Sequence, residues 1–261
     1  MQKTLSIVKI SALAVTLVVN YLSNTGIFNN NTMSTVSASY SNYFTPAGYA
    51  FSIWGLIYAG LLSFVIYHAI AVFKGSHTNN VALNVGWWFV FSCVANCFWI
   101  FAWLYNYTGL SVIIMIVLLF SLVMIILKTR MELDDLPIKQ IAFVWWPFSI
   151  YSGWITVALI ANVAAYLTKI NWDGSGIPGE TWTVIMIFTA GLLHIFMIWK
   201  RNMRECALAG IWALIAIAIA NQGNNEMIGQ VAVSVSVLLF INVAVHAYIN
   251  RNSLPWIQRK N

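Results

Sequence analysis

Chemistry in this chain of 261 residues has to come from side chains that titrate, ligate or stack, and the titratable ones are few. All seven carboxylates, Glu132, Asp134, Asp135, Asp173, Glu180, Glu205 and Glu226, fall between apolar stretches. No paired acids are therefore placed inside the stretches for general acid–base work or proton-driven transport. Lys and Arg are confined to the connecting segments in the same way, apart from Lys9 near the start of the first stretch. No interior lysine is expected to carry a Schiff base, and the interior as a whole is expected to be uncharged. His68, His194 and His246 do lie within stretches, together with Asn84, Asn96, Asn162 and Asn242. Each His reads either as an interhelical hydrogen-bonding group or as a ligand, a haem axial ligand being the sharpest case; none has a second His at helical spacing on its own stretch. Cys93 and Cys97 share a helix face, but their stretch lacks the further ligands a metal wants, and Cys206 opens another stretch. The three read as small packing residues, with no metal site, disulfide or catalytic residue assigned.

Aromatic residues give the strongest positive signal: 13 Trp, 11 Tyr and 15 Phe. Trp87, Trp88, Trp99, Trp103, Trp145 and Trp146 lie near the ends of stretches, where indoles belt a membrane interface. Trp54 and Trp154 lie about eight residues in, at a depth where an indole N–H has no water and needs a protein partner or a ligand. Two such walls suit a flat apolar molecule.

The elements that must hold these residues follow from composition. A chain 61% hydrophobic and 8% charged, with mean hydropathy +0.79, is an all-α integral membrane protein and not a water-soluble domain. Apolar windows at 6–23, 47–73, 81–105, 110–127, 141–167, 181–199, 207–220 and 228–249 predict about eight transmembrane helices. Charge supplies a separate test, because Lys and Arg are retained in the cytoplasm. Placing both termini there puts Lys3, Lys9, Lys74, Lys128, Arg130, Lys139, Lys200, Arg201, Arg204, Arg251, Arg259 and Lys260 inside and leaves only Lys169 outside. The net charge of +6 thus reflects orientation and not a nucleic-acid partner. The longest outer loop, 24–45, is uncharged and rich in Asn, Ser and Thr, and reads either as a connector or as the cap of a cavity.

Three motifs in series carry a resemblance. The run Phe44-Thr45-Pro46-Ala47-Gly48-Tyr49-Ala50-Phe51-Ser52-Ile53-Trp54-Gly55-Leu56-Ile57-Tyr58 resembles the second-helix signature of the translocator protein / tryptophan-rich sensory protein (TspO/MBR) family, through Pro46, Phe51, Trp54 and Tyr58. Ala82-Leu83-Asn84-Val85-Gly86-Trp87 resembles the start of that family's third helix. Pro147 with Trp154, Ala158 and Asn162 resembles its fifth. The interval from Pro147 to Trp154 is three residues longer than the family pattern; aligning on the proline instead would put Tyr151 in the tryptophan's place, and Trp154 is preferred for its spacing to Ala158 and Asn162. The resemblance implies a five-helix ligand-binding bundle over 1–172, commonly a homodimer, with 173–261 as a three-helix extension that five-helix members lack. It implies Trp54 and Trp154 as cavity walls with Tyr58, Asn84, Trp87 and Ala158 as neighbours, and Pro46, Phe51, Pro147 and Asn162 as structural positions. The ligands it implies are porphyrins, sterol-like molecules or synthetic aromatic compounds, with no cofactor required. The leading expectation is a receptor or sensor in a bacterial inner membrane. The alternatives are a facilitative carrier or channel and, third, a catalyst degrading porphyrin at the indoles.

Overall fold

The computed structural model describes residues 2–75 and 81–251; Arg259 and Lys260 of the charge count lie outside them. Among the described residues eight helices reach 17 residues or more: α1 Gln2–Leu22, α2 Ile53–Phe73, α3 Trp88–Leu104, α4 Thr108–Lys128, α5 Trp146–Lys169, α6 Gly179–Arg201, α7 Arg204–Ala220 and α8 Glu226–Ile249. They correspond one for one to the eight apolar windows. Among the described residues six helical segments are long and apolar enough to cross a membrane, and Trp88–Leu104 is a shorter apolar helix. No strand occurs among the described residues.

α5 is central and packs against α2, α4 and α7. A π-helical turn over Ile141–Trp145 leads into it without a break, so Pro147 lies inside a continuous helical run, Ile138–Lys169, and the π turn just before it is where the ladder adjusts to its ring and missing N–H. On one side Gly60 of α2 lies so close that a Cβ there would come within 3.2 Å of the Pro147 side chain. On the other, a Cβ on Gly153 would stand 2.2 Å from the Cys206 carbonyl oxygen, so only glycine permits α5 and α7 to meet as they do. The last three helices repeat the device, with Gly210 of α7 under the His194 ring and Gly191 of α6 under Val235 of α8.

One end of the bundle carries the described Lys and Arg other than Lys9 and Lys169; the other is closed by the segment between α1 and α2. That segment is built, not slack. It contains a helix, Met33–Ser39, started by a capping box between Thr32 and Thr35, whose Met33 and Val36 are buried in the bundle. Asn29 and Asn31 donate to the Leu104 carbonyl at 3.1 and 2.9 Å, and Tyr40 donates to the Asn106 side-chain oxygen at 3.1 Å. The extension holds the rest. Asn221 donates to the Tyr43 carbonyl at 2.9 Å, the Trp212 indole to the Ala50 carbonyl at 3.1 Å, and the Ala47 N–H to the Ala216 carbonyl at 3.0 Å.

At the basic end the turn between α6 and α7 is tied to the end of α4. Arg201 donates to the Ile126 carbonyl at 3.2 Å and Asn202 to the Glu132 carbonyl at 2.9 Å. The exposed Arg130–Asp134 pair, at 2.9 Å, adds little. Burial, reinforced by the neighbouring Glu205 carboxylate and opposed by Arg204, pushes the Glu132 carboxyl up to about 8.

Two outcomes follow from this packing. Gly153→Ala should lower stability by roughly 1–3 kcal/mol, read as a fall in the thermal midpoint in detergent, whereas Gly55→Ala, whose Cβ would meet nothing within 4 Å, should be neutral or slightly stabilising. Because the Glu132 carboxyl binds its proton more tightly folded than unfolded, its contribution is complete in acid and fades as pH rises through about 8. The thermal midpoint should therefore fall between pH 6 and pH 9, and Glu132→Gln should flatten that fall.

Candidate functional site

Beneath the capping segment α2, α3 and α5 bring their aromatic residues together. Trp54 is the centre. Tyr58, one turn on, stacks on it at 5.4 Å between ring centroids and 18° between planes. Trp99 lies at 6.1 Å, Tyr151 at 5.7 Å and Trp154 at 6.3 Å, the last two edge-on. Phe51 closes on Trp154 at 6.3 Å, and Trp103 stacks on Trp99 at 6.1 Å. Such edge and offset contacts are favourable beyond the area they bury.

Polar groups inside the cluster fix its geometry. The Trp99 indole donates to Asn162 Oδ1 at 2.8 Å, and the Asn162 amide donates to the Ser111 hydroxyl at 2.8 Å, joining α3, α5 and α4. Asn96, wholly buried, is a hub: its amide donates to the Tyr151 hydroxyl at 3.1 Å, and its Oδ1 accepts from Asn20 at 2.9 Å and from Tyr58 at 3.5 Å. The Trp103 indole donates to the Met33 carbonyl of the cap at 3.2 Å. Within the cluster two indole N–H groups have no acceptor, those of Trp54 and Trp154, both buried; outside it the buried Trp145 indole is unpartnered as well. A buried donor left unpaired costs about 1–3 kcal/mol.

The space beside these indoles is divided. A narrow cavity of ≈ 40 Å³ lies between the cap and α5, lined by Pro46, Phe51, Trp99, Trp103, Trp154, Ala158 and Asn162 among others. A groove of ≈ 440 Å³ opens between α1, the loop helix and the start of α2, lined by Asn20, Met33, Phe51, Trp54 and Tyr58 among others. Phe51 belongs to both walls. Pockets that take drug-sized ligands measure about 300–1,000 Å³, so the narrow cavity admits one only if it joins the groove.

Of the residues singled out in the sequence, Trp54, Tyr58, Trp154 and Ala158 come together here, with Pro46, Phe51 and Asn162 beside them. Pro147 packs on Gly60 farther along α5. Asn84 and Trp87 are elsewhere: both are exposed, Trp87 at 51%, and Trp87 precedes Trp99 by twelve residues, about 18 Å of helix. Tyr151 and Trp154 both face Trp54, so the two alignments of the fifth-helix motif describe neighbouring members of one cluster. Trp99, Trp103 and Trp145 are not interfacial, being 4%, 4% and 1% exposed. Nearness to a stretch end concealed that α5 and the cap cover Trp99 and Trp103.

The expectation of an uncharged interior is corrected by Lys9. It is fully buried, its Nζ 3.1 Å from His68 Nε2 and 5.5 Å from the centre of the Phe64 ring. Because α1 begins at Gln2, Lys9 stands two turns inside it, on the face that also buries Ser6, Leu13, Thr16 and Asn20. The other histidines also make helix contacts. His194 Nδ1 donates to the Ala190 carbonyl at 2.7 Å, and His246 Nε2 lies 3.2 Å from Asn202 Oδ1.

The family model described as TSPO-like protein matches residues 6–245, through the first five helices and most of the extension. The chain belongs to this family and is a membrane protein of that kind. No curated protein and no solved structure matches it.

If Asn96 is the hub that orders the aromatic cluster, Asn96→Leu should lower stability by roughly 1–3 kcal/mol, since the Tyr151 hydroxyl and Asn20 each lose a buried partner. Trp87→Phe, at the far end of α3, should leave the thermal midpoint nearly unchanged. Paired melts in one detergent would check both.

Proposed function

We propose that this member of the TSPO-like protein family is a membrane receptor or sensor for a flat hydrophobic ligand of the porphyrin or sterol-like class, held between Trp54 and Trp154. The observation that carries this reading is the pair of buried indole N–H groups without acceptors, in a cluster whose other indoles, Trp99 and Trp103, are satisfied by the protein. A ligand with an apolar ring system and a carbonyl or carboxylate oxygen would supply both stacking surface and acceptor. Ala158 on α5 keeps the slot shallow enough for a ring to lie against the helix. Phe51 and the loop helix would have to shift for the cavity and the groove to join.

On this reading the basic end faces the cytoplasm, both termini included, in a bacterial inner membrane, and ligands arrive at the capped end. Residues 1–172 carry the ligand site and 173–261 hold its cap, through Trp212, Ala216 and Asn221. A homodimer would use the lipid-facing helix surfaces. A second reading, carriage of the same ligand class, is favoured by the polar buried face of α1, where Ser6, Lys9, Thr16 and Asn20 follow one another along the bundle.

Quenching of intrinsic fluorescence by protoporphyrin IX in detergent tests the site. Trp54→Phe/Trp154→Phe keeps two aromatic rings and removes both N–H donors. Affinity should fall at least about ten-fold, the equivalent of one to two net hydrogen bonds. Equal affinity in the double variant would overturn the assignment. Porphyrin uptake into proteoliposomes, slowed in the same variant, would favour the carrier instead.

A further inference from the structure

A lysine held wholly inside a membrane bundle without a carboxylate is costly, and the contacts of Lys9 define what it can do. Its Nζ meets His68 Nε2 at 3.1 Å; Lys9 is 0% and His68 1% exposed. Around the pair stand only weakly polar or apolar groups. Phe64, one turn before His68, faces Nζ and packs on Phe89 of α3 and Phe148 of α5. The titratable groups on the helices against which α1 and α2 pack are Cys93 and Cys97 of α3, Tyr151, Tyr166 and Lys169 of α5, and Tyr21, Tyr58 and Tyr67 of α1 and α2 themselves; Lys3 and Lys74 at the basic end add only positive charge. α1, α2, α3 and α5 contain no Asp or Glu. Two further polar atoms, Ser6 Oγ and His68 Nδ1, are buried without partners.

We propose that Lys9 and His68 form a proton-binding site inside the membrane, and that a second proton there drives α1 away from α2. With one positive charge the pair is complete: the ammonium donates to Nε2, and the Phe64 ring faces the cation. A second proton occupies Nε2, removes the only acceptor between the two groups and sets two cations about 3 Å apart with no counter-ion. The separated state therefore binds more protons than the packed one, and acid favours it. The movement reaches the aromatic cluster through α1, because Asn20, three turns from Lys9 on the same buried face, donates to the Asn96 hub that also holds Tyr151. Opening of the ligand pocket by this motion rests on the reading of Trp54 and Trp154 given above; the proton site does not.

The experiment places nitroxide labels on the lipid-facing Ile10→Cys of α1 and Ile70→Cys of α2, with Cys93, Cys97 and Cys206 replaced by Ala, and reads their distance distribution by pulsed electron paramagnetic resonance in nanodiscs. From pH 8 to pH 5 a longer-distance population should grow several-fold. Lys9→Met and His68→Gln, the latter keeping an acceptor that does not titrate, should abolish the change. A distribution unchanged between the two pH values, or an equal response in His68→Gln, overturns the proposal. Without labels or cysteine changes, the thermal midpoint of the wild type should drop relative to His68→Gln only toward pH 5, since Glu132 is common to both; a constant difference also overturns it. Protoporphyrin IX binding is measured separately at both pH values. A distance response without porphyrin binding leaves the proton site standing and removes the pocket reading, and binding without a distance response does the reverse.

Discussion

Most of the aromatic site depends on how closely α5 can lie against α7. The contact at Gly153 leaves no room for a side chain, and the same helix carries Tyr151 and Trp154 on either flank of Ser152 and Gly153, with Asn162 about two turns on. With α5 held there, its opposite side meets α2 at Gly60 and α4 at Ser111. α7, held by the same contact, reaches back over the cap with Trp212 and Ala216, and Asn221 beyond its end does likewise. The last three helices are thus structural partners of the aromatic cluster, because one glycine lets their backbone touch the helix that bears it.

Inside a bilayer a polar side chain has no water to fall back on, so each buried amide must find its partner in the protein. Asn96 and Asn162 do this at two levels of the cluster, Asn96 linking four helices and Asn162 three. Their fixed geometry gives them more than stability: bonds between several helices specify one rotation of each, which apolar packing alone leaves degenerate. Trp99 and Trp103 are drawn into that order by their N–H groups. Trp54 and Trp154, equally buried, stand outside it.

The eight helices were legible because a membrane span is set by length and hydropathy, and both are read along the chain. Trp54, Tyr58, Trp154 and Ala158 were legible as a set because Trp54 and Tyr58 open α2 at the capped end and Trp154 and Ala158 lie within α5 at the depth where it packs against them. Asn84 and Trp87 belong to an equally recognisable motif, yet it opens α3 at the other end of the bundle. A motif gives residue types and order, while depth along the membrane depends on which end of the helix it occupies. The roles of Trp99 and Trp103 were hidden for a related reason. Nearness to a span end suggests an interface, but here the cap rises over Trp103 and supplies its acceptor from Met33, a contact between residues seventy positions apart.

α1 shows the same limit most sharply. In a water-soluble helix the apolar side faces the core, and hydropathy averaged over a window finds the element and its buried face together. In α1 the pattern is inverted: Ile7, Ile10, Val15 and Val18 point outward, and Ser6, Lys9, Thr16 and Asn20 point in. Averaging counts the polar residues against the span, although these residues join it to α2 and α3. The periodicity that marks a face is still present, with polar residues recurring at positions 6, 9, 16 and 20. Its meaning reverses when the solvent is lipid. A helix whose polar stripe is buried must be held by hydrogen bonds and not by exclusion from water, so its attachment is directional and sensitive to the protonation of its members. The first helix is therefore the element whose packing is set most by chemistry and least by apolar contact.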